Sequence, residues 1–172
     1  VFCLPYNPET ADKDMGIPYS EKPETQVIVK YERGTMAELY EKINADIEAA
    51  LPYISDDVYT VPKYHFNKKA AYAFATRFNL FYVKPDKSNY QKVVEYATQV
   101  LGSNPDRALR QMTNYIPLGA GDVTNAYVQA SENCNLLIIP AYSAAGRIGS
   151  GSGPRYNHGR EITTYETYWA KG

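Results

Sequence analysis

A chain of 172 residues with 44% hydrophobic content carries enough apolar material for one domain with a real core. A formal charge of −1 and the lack of any basic stripe exclude the counterion-displacing surface of a nucleic-acid binder. No apolar run approaches the roughly 18 residues of a bilayer-spanning helix, and the first residues lack the charged-then-apolar order of a signal peptide.

Tyrosine supplies 17 aromatic residues against 5 Phe and 1 Trp, a bias toward rings with a polar tip that suit half-wet surfaces and helix packing alike. Cys3 and Cys134 are as compatible with one disulfide as with two free thiols. Cys3 also lacks the apolar run and preceding small residue of a lipid-modified cysteine. His65 and His158 stand apart from cysteine and from each other, so no zinc spacing exists and no metal or cofactor is expected.

Residues 1–34, with four prolines and two glycines, read as an extended entry loop without its own core. Within it only Gln26 to Tyr31, QVIVKY, has strand-like enrichment and could form a short edge segment. Thr35 and Glu38 make a T-x-x-E capping box, and Met36, Leu39, Tyr40, Ile43, Ile47, Ala50 and Leu51 recur at threes and fours, which predicts a helix over 35–51 ended by Pro52. Glu41, Lys42, Asn44, Asp46 and Glu48 fall on or beside its solvated side. Residues 53–66 form a connection.

The stretch Asn67 to Pro105 predicts a helical hairpin around which the rest is organised. Asn67 serves as N-cap to a helix over 68–83 whose apolar stripe is Ala71, Phe74, Ala75, Phe78, Phe81 and Tyr82. Lys84-Pro85-Asp86-Lys87-Ser88 marks the turn. A second helix over 89–101 buries Tyr90, Val93, Ala97, Val100 and Leu101, then stops at Gly102, with Asn104 and Pro105 beyond. The offsets from Tyr90 through Pro105 are those of the second helix of a tetratricopeptide repeat, with Val93 and Val100 where small residues are usual.

Past Pro105 the periodicity weakens. Ala108, Leu109, Met112 and Tyr115 suggest a short helical turn, residues 117–122 a loop, and 123–130 a short helix. Leu136 to Tyr142 reads as a short strand or extended core segment. A Gly/Ser tract over 146–154 reads as a flexible linker, and the last residues crowd polar and aromatic groups together. The chain ends at Gly172 without a closing element, as a piece of a longer protein would.

Catalytic chemistry finds little foothold. The Gly/Ser tract lacks the terminal Lys-Ser/Thr and the strand–helix context of a phosphate loop. His158 has no nucleophile elbow or paired motif beside it, and carboxylate pairs among 19 acidic residues carry no information. A sugar site combines flat aromatic platforms with groups that hydrogen-bond hydroxyls. Tyr142, Arg147, Arg155, Tyr156, Asn157, His158, Tyr168 and Trp169 supply that mixture, and packing against other parts of the protein explains each of them equally well.

Several segments together resemble the SusD/RagB-like outer-membrane nutrient-uptake proteins of Bacteroidetes: PYNPETADKDMGIPY at 5–19, ERGTMAELYEKINADIEAALPYI at 32–54, FNKKAAYAFATRFNLFY at 66–82, SNYQKVVEYATQVL at 88–101 and SENCNLLII at 131–139. They occur in the family's order. The resemblance implies a cell-surface lipoprotein of the outer membrane, without catalytic activity, that binds an oligosaccharide or other nutrient. It implies a TonB-dependent (SusC-like) transporter as partner and a lipid anchor upstream of Val1 as the sole membrane attachment. Family members are longer, and no fixed ligand motif transfers to numbered positions in this chain.

The expected fold is mainly α, with tetratricopeptide-like helical hairpins, long irregular loops and little β. Its expected parts are an entry loop over 1–34, a helical scaffold over 35–130 and an irregular Gly- and Tyr-rich segment over 131–172. Two other functions compete with nutrient binding: a tetratricopeptide-type scaffold that binds protein without sugar, and a fragment of a glycoside hydrolase.

Overall fold

The computed structural model describes residues 4–27 and 29–138 of the chain. They are mainly helical: α1 runs Met36–Ala50, α2 Lys68–Phe81, α3 Asn89–Leu101 and α4 Ala120–Tyr127, joined by short 3-10 turns. Among the described residues there is no strand; an isolated bridge pairs Met15 with Thr35. None of the helices found there is long and apolar enough to cross a membrane. The backbone divides into two compact units, one joining residues up to 55 with 68–100, the other joining 56–67 with residues from 101 onward.

In the first unit α1 starts where the capping box predicts. Thr35 Oγ1 accepts the Glu38 N–H at 3.2 Å, and Glu38 Oε2 accepts the Thr35 N–H at 2.8 Å. That backbone donation, with the Thr35 hydroxyl, holds the Glu38 carboxyl below its ordinary range. The next donors are met by the entry segment: Met36 N–H reaches Asp14 O at 2.8 Å and Ala37 N–H reaches Ala11 O at 2.9 Å. A helix start leaves its first N–H groups unpaired, so this arrangement binds residues 7–16 to α1 through the backbone. Arg33 strengthens the clasp by donating to Gly16 O at 2.6 Å and Met15 O at 3.1 Å.

Two small cores result. Ala11, Met36 and Leu39 are buried together with Tyr6, Tyr19, Tyr40 and Ile43 against them. Leu51, Ala71 and Ala75 form the other, flanked by Ile47, Ile54, Tyr72 and Tyr96. Tyr6, Tyr40, Phe78 and Tyr82 pack ring on ring, with centroids 4.9 Å apart for Tyr6 and Tyr82 in an edge-to-face pair and 5.5 Å for the stacked Tyr40 and Phe78. Burial pushes the hydroxyls of Tyr6 and Tyr82 above the usual tyrosine range.

The α2–α3 hairpin matches its predicted limits closely, but its buried faces differ. Phe74 and Phe81 are 51% and 60% exposed, whereas the buried positions of α2 are Ala70, Ala71, Ala75 and Asn79. Alanines let the neighbouring chain come close, and the bulkier rings are left at the rim. On α3, Tyr90 is exposed and its neighbour Asn89 is 3% exposed. Asn89 is buried because it ties the turn: its Nδ2 donates to Asn79 O, and its Oδ1 accepts the Lys84 N–H at 3.1 Å. Asp86 accepts from the Ser88 N–H at 3.1 Å and from its hydroxyl at 2.9 Å, and the backbone bond first lowers its carboxyl pKa. Gly102 ends α3 with φ +70°, the left-handed C-cap that glycine adopts most readily.

Residues 26, 27 and 29–31 form no strand, and Val27 is fully exposed, because among the described residues no second strand lies alongside to pair with the alternation. The segment expected as a loop over 117–122 already contains the first residues of α4, which starts at Ala120. The 3-10 turn Met112–Tyr115 occupies part of the predicted helical turn, and residues 136–138 are not in a strand, although Ile138 donates to Lys63 O at 2.7 Å. The rest of the apolar run 136–142 lies outside the described residues.

The second unit is held by polar side chains that span loops. Lys63 Nζ donates to Ala130 O at 2.7 Å and Glu132 O at 2.6 Å, and the buried Asn67 donates to Leu136 O at 2.6 Å. Arg110 is the hub: it donates to the Tyr115 hydroxyl at 2.9 Å and Asn135 Oδ1 at 2.6 Å while lying 3.9 Å from the Tyr127 ring centroid. Tyr115 in turn donates to Glu132 at 2.7 Å. Cys134 is a free thiol; Cys3 lies outside the described residues.

Candidate functional site

The eight residues expected to bind sugar, Tyr142, Arg147, Arg155, Tyr156, Asn157, His158, Tyr168 and Trp169, all lie outside the described residues. Within the described chain, an open cleft of about 600 Å³ sits in the first unit between the segment 19–31 and the solvated side of α1. Its size falls within the roughly 300–1,000 Å³ of small-molecule sites.

The cleft is built by two attachments of the 19–31 segment to α1 and one contact within the segment. Tyr19 packs its ring against the Met36 and Leu39 core and donates its hydroxyl to Asp46. Lys42, one turn before Asp46 on the helix, pairs with Glu21 at 2.5 Å and places its ammonium 5.4 Å from the Tyr19 ring centroid. At the far side Tyr31 donates to Glu24 Oε1 at 2.5 Å. Proline at positions 18 and 23 bars both sites from donating to a ladder, which keeps the segment open.

The electrostatics are internally balanced. The hydrogen bond from Lys42, then its charge, holds the Glu21 carboxyl below the ordinary carboxylate range. Donation to Glu24 keeps the Tyr31 proton in place and raises that hydroxyl. Lys22 and Lys42 face Glu21 and Glu24 around the lining, so the cleft carries no net charge. Tyr31 is 40% exposed, while Gln26 and Thr25 add an amide and a hydroxyl to the same lining.

Such a lining can hold a polar, uncharged molecule with an apolar face. It offers no metal cluster: among the described residues no group of three His, Cys, Asp or Glu side chains is placed to hold an ion. The sequence signal for this cleft was modest, a Tyr at each end of a proline-broken segment rich in Glu, Lys and Thr. Composition alone marked that segment as a loop.

The capped helix α1, the α2–α3 hairpin and the irregular segments around them make a mainly helical, tetratricopeptide-like fold. Residues 1–80 match the SusD-like_3 family, described as starch-binding and associating with the outer membrane. The match takes in the entry segment, the capped helix α1, the cleft and nearly all of α2. Neither a curated protein nor a solved structure matches the chain.

Proposed function

We propose that the protein is a non-catalytic nutrient binder at the cell surface, tethered to the outer membrane by a lipid anchor, that captures oligosaccharide for a TonB-dependent transporter of the SusC-like kind. The observation that carries this is the family match over residues 1–80, whose description is starch binding in association with the outer membrane. The architecture agrees with it, because the loops around α1 make an uncharged cleft and the helical hairpin leaves apolar side chains outward.

Phe74, Leu80, Phe81 and Val94 are each at least half exposed on α2 and α3, at 51%, 50%, 60% and 62%. Large apolar side chains exposed on both helices of the hairpin suit a surface that another protein covers, which supports the helices as the transporter-facing side. The aromatic residues of 142–169 remain part of this proposal as further ligand contacts.

Isothermal titration of the protein against neutral and acidic oligosaccharides tests the reading. Heat with at least one glycan and no turnover of it is expected. Hydrolysis of a glycan in the panel, or silence across all of it, would sink the proposal. Co-expression with a SusC-like transporter should give a complex that Phe81→Glu weakens; an unchanged complex removes the hairpin from the contact.

A further inference from the structure

We infer that the cleft between residues 19–31 and α1 is itself a saccharide site, with Tyr31 as its stacking platform and an uncharged sugar as its ligand. This rests on the proposed nutrient-binding function and adds to it the place and the contact residue.

The argument begins with the two tyrosines. Tyr19 has its ring packed against the core and its hydroxyl committed to Asp46, so it serves as a wall. Tyr31 differs, because its hydroxyl is anchored to Glu24 while 40% of the residue stays in solvent. A ring fixed at its tip and open on its surface loses little freedom when a ligand lies on it, which is the geometry a stacking platform needs. Sugars present apolar C–H faces that suit such a ring.

Next come the polar groups. Glu21 and Glu24 each hold one carboxylate in place through a single partner, Lys42 and Tyr31 respectively. A carboxylate accepts more than one hydrogen bond, so both retain capacity for ligand hydroxyls. Gln26 adds an amide that both donates and accepts, matching the dual character of a sugar hydroxyl.

Charge then decides the class. Lys42, the cation nearest an ordered partner, is already neutralised by Glu21 at 2.5 Å, and the lining sums to zero. An acidic sugar would gain no net field there, because the two carboxylates offset Lys22 and Lys42, and a neutral saccharide needs none.

The test titrates the protein with soluble malto-, cello- and xylo-oligosaccharides and with an oligogalacturonate as the acidic probe. For the neutral ligand that binds, Tyr31→Ala should weaken affinity about tenfold or more, and Tyr31→Phe, which keeps the ring, should stay within about threefold. Tyr53→Ala, an 88% exposed tyrosine outside the cleft, should bind as the parent does. Raising salt from about 50 to 500 mM should change affinity by less than about twofold, since no net charge is engaged. Parent-like binding by Tyr31→Ala overturns the site and leaves the nutrient-binding function standing. Preference for the oligogalacturonate overturns the ligand class alone, and silence with every glycan removes both the site and the function.

Discussion

The Tyr96 hydroxyl donates to Glu48 at 2.7 Å, and Lys92, one helical turn earlier on α3, pairs with the same carboxylate at 2.8 Å, so α3 grips α1 through one acceptor. Partial burial pushes the Glu48 carboxyl up, and the hydrogen bonds from Lys92 and Tyr96 with the Lys92 charge outweigh it, leaving the pKa lowered. Tyr96 itself is shifted upward by burial and by the same bond. Tyr96→Phe should cost about 0.5–1 kcal/mol, the low end because Lys92 remains and the carboxylate is partly solvated. Urea unfolding measures it.

The same carboxylate gives a pH dependence with a definite sign. A lowered folded pKa means the native state binds fewer protons than the unfolded one near that pH, so the contribution is complete above the unfolded value of about 4.3 and fades as pH falls through the lower folded value. Glu48→Gln should therefore flatten the acid limb of the stability curve below about pH 4.3 while changing its slope little at pH 7. Equal acid limbs in the two proteins would show that Glu48 is not linked to folding.

Asn89 closes the hairpin from inside, donating to Asn79 O and accepting from the Lys84 N–H. Asn89→Ala leaves both backbone groups without their partner in a buried place and should cost about 1–3 kcal/mol in thermal or denaturant unfolding. Asn89→Asp, which restores only the acceptor, should recover part of that at most. Asn79 lies beside it with its Oδ1 buried and unpaired, so Asn79→Asp places a charge on an oxygen without a donor and should be worse than Asn79→Ala.

Two glycines separate crowding from backbone strain. A Cβ on Gly16 would stand 3.0 Å from Thr35 O and 3.2 Å from the Leu39 side chain, at the seam between the entry segment and α1. A Cβ on Gly102 would meet nothing within 4 Å, but φ is +70° there. Gly102→Ala should cost about 1 kcal/mol and Gly102→Asn less, since asparagine tolerates this region. Gly16→Ala should cost about 1–3 kcal/mol as an overpacking change and should also loosen residues 7–16 to protease.

In the second unit, Arg110→Lys keeps the charge but loses the planar fork that reaches Tyr115 and Asn135 together. A loss of about 1–2 kcal/mol is expected, with faster hydrogen exchange across residues 110–135. A Lys variant with parent-like exchange would show that the guanidinium is not the hub.

What could be read from the sequence was local. The Thr35–Glu38 box, the Pro52 stop, the Lys84–Ser88 turn and the Gly102 C-cap each need only neighbours a few residues away, and each appears where expected. The family match over 1–80 agrees with the resemblance carried by residues 5–19, 32–54 and 66–82. Burial of Asn79 and Asn89 was not legible, because a polar residue on a helix reads as outward until its long-range partner is known. Phe74 and Phe81 failed in the opposite sense: their spacing is right for a buried face, and the choice between core and rim depends on which other chain comes near. The cleft depends on residues 21 apart in sequence, Glu21 and Lys42, and on 27 apart for Tyr19 and Asp46, a pairing no periodicity encodes.

The entry segment's carbonyls at Ala11 and Asp14 accept the first free amides of α1. Amide protons at a helix start ordinarily exchange fast because they fray into water. At Met36 and Ala37 their exchange instead reports the lifetime of the contact with residues 7–16. Those two amides are thus a built-in clock for the detachment of residues 7–16 from the start of α1, readable by exchange without any added label.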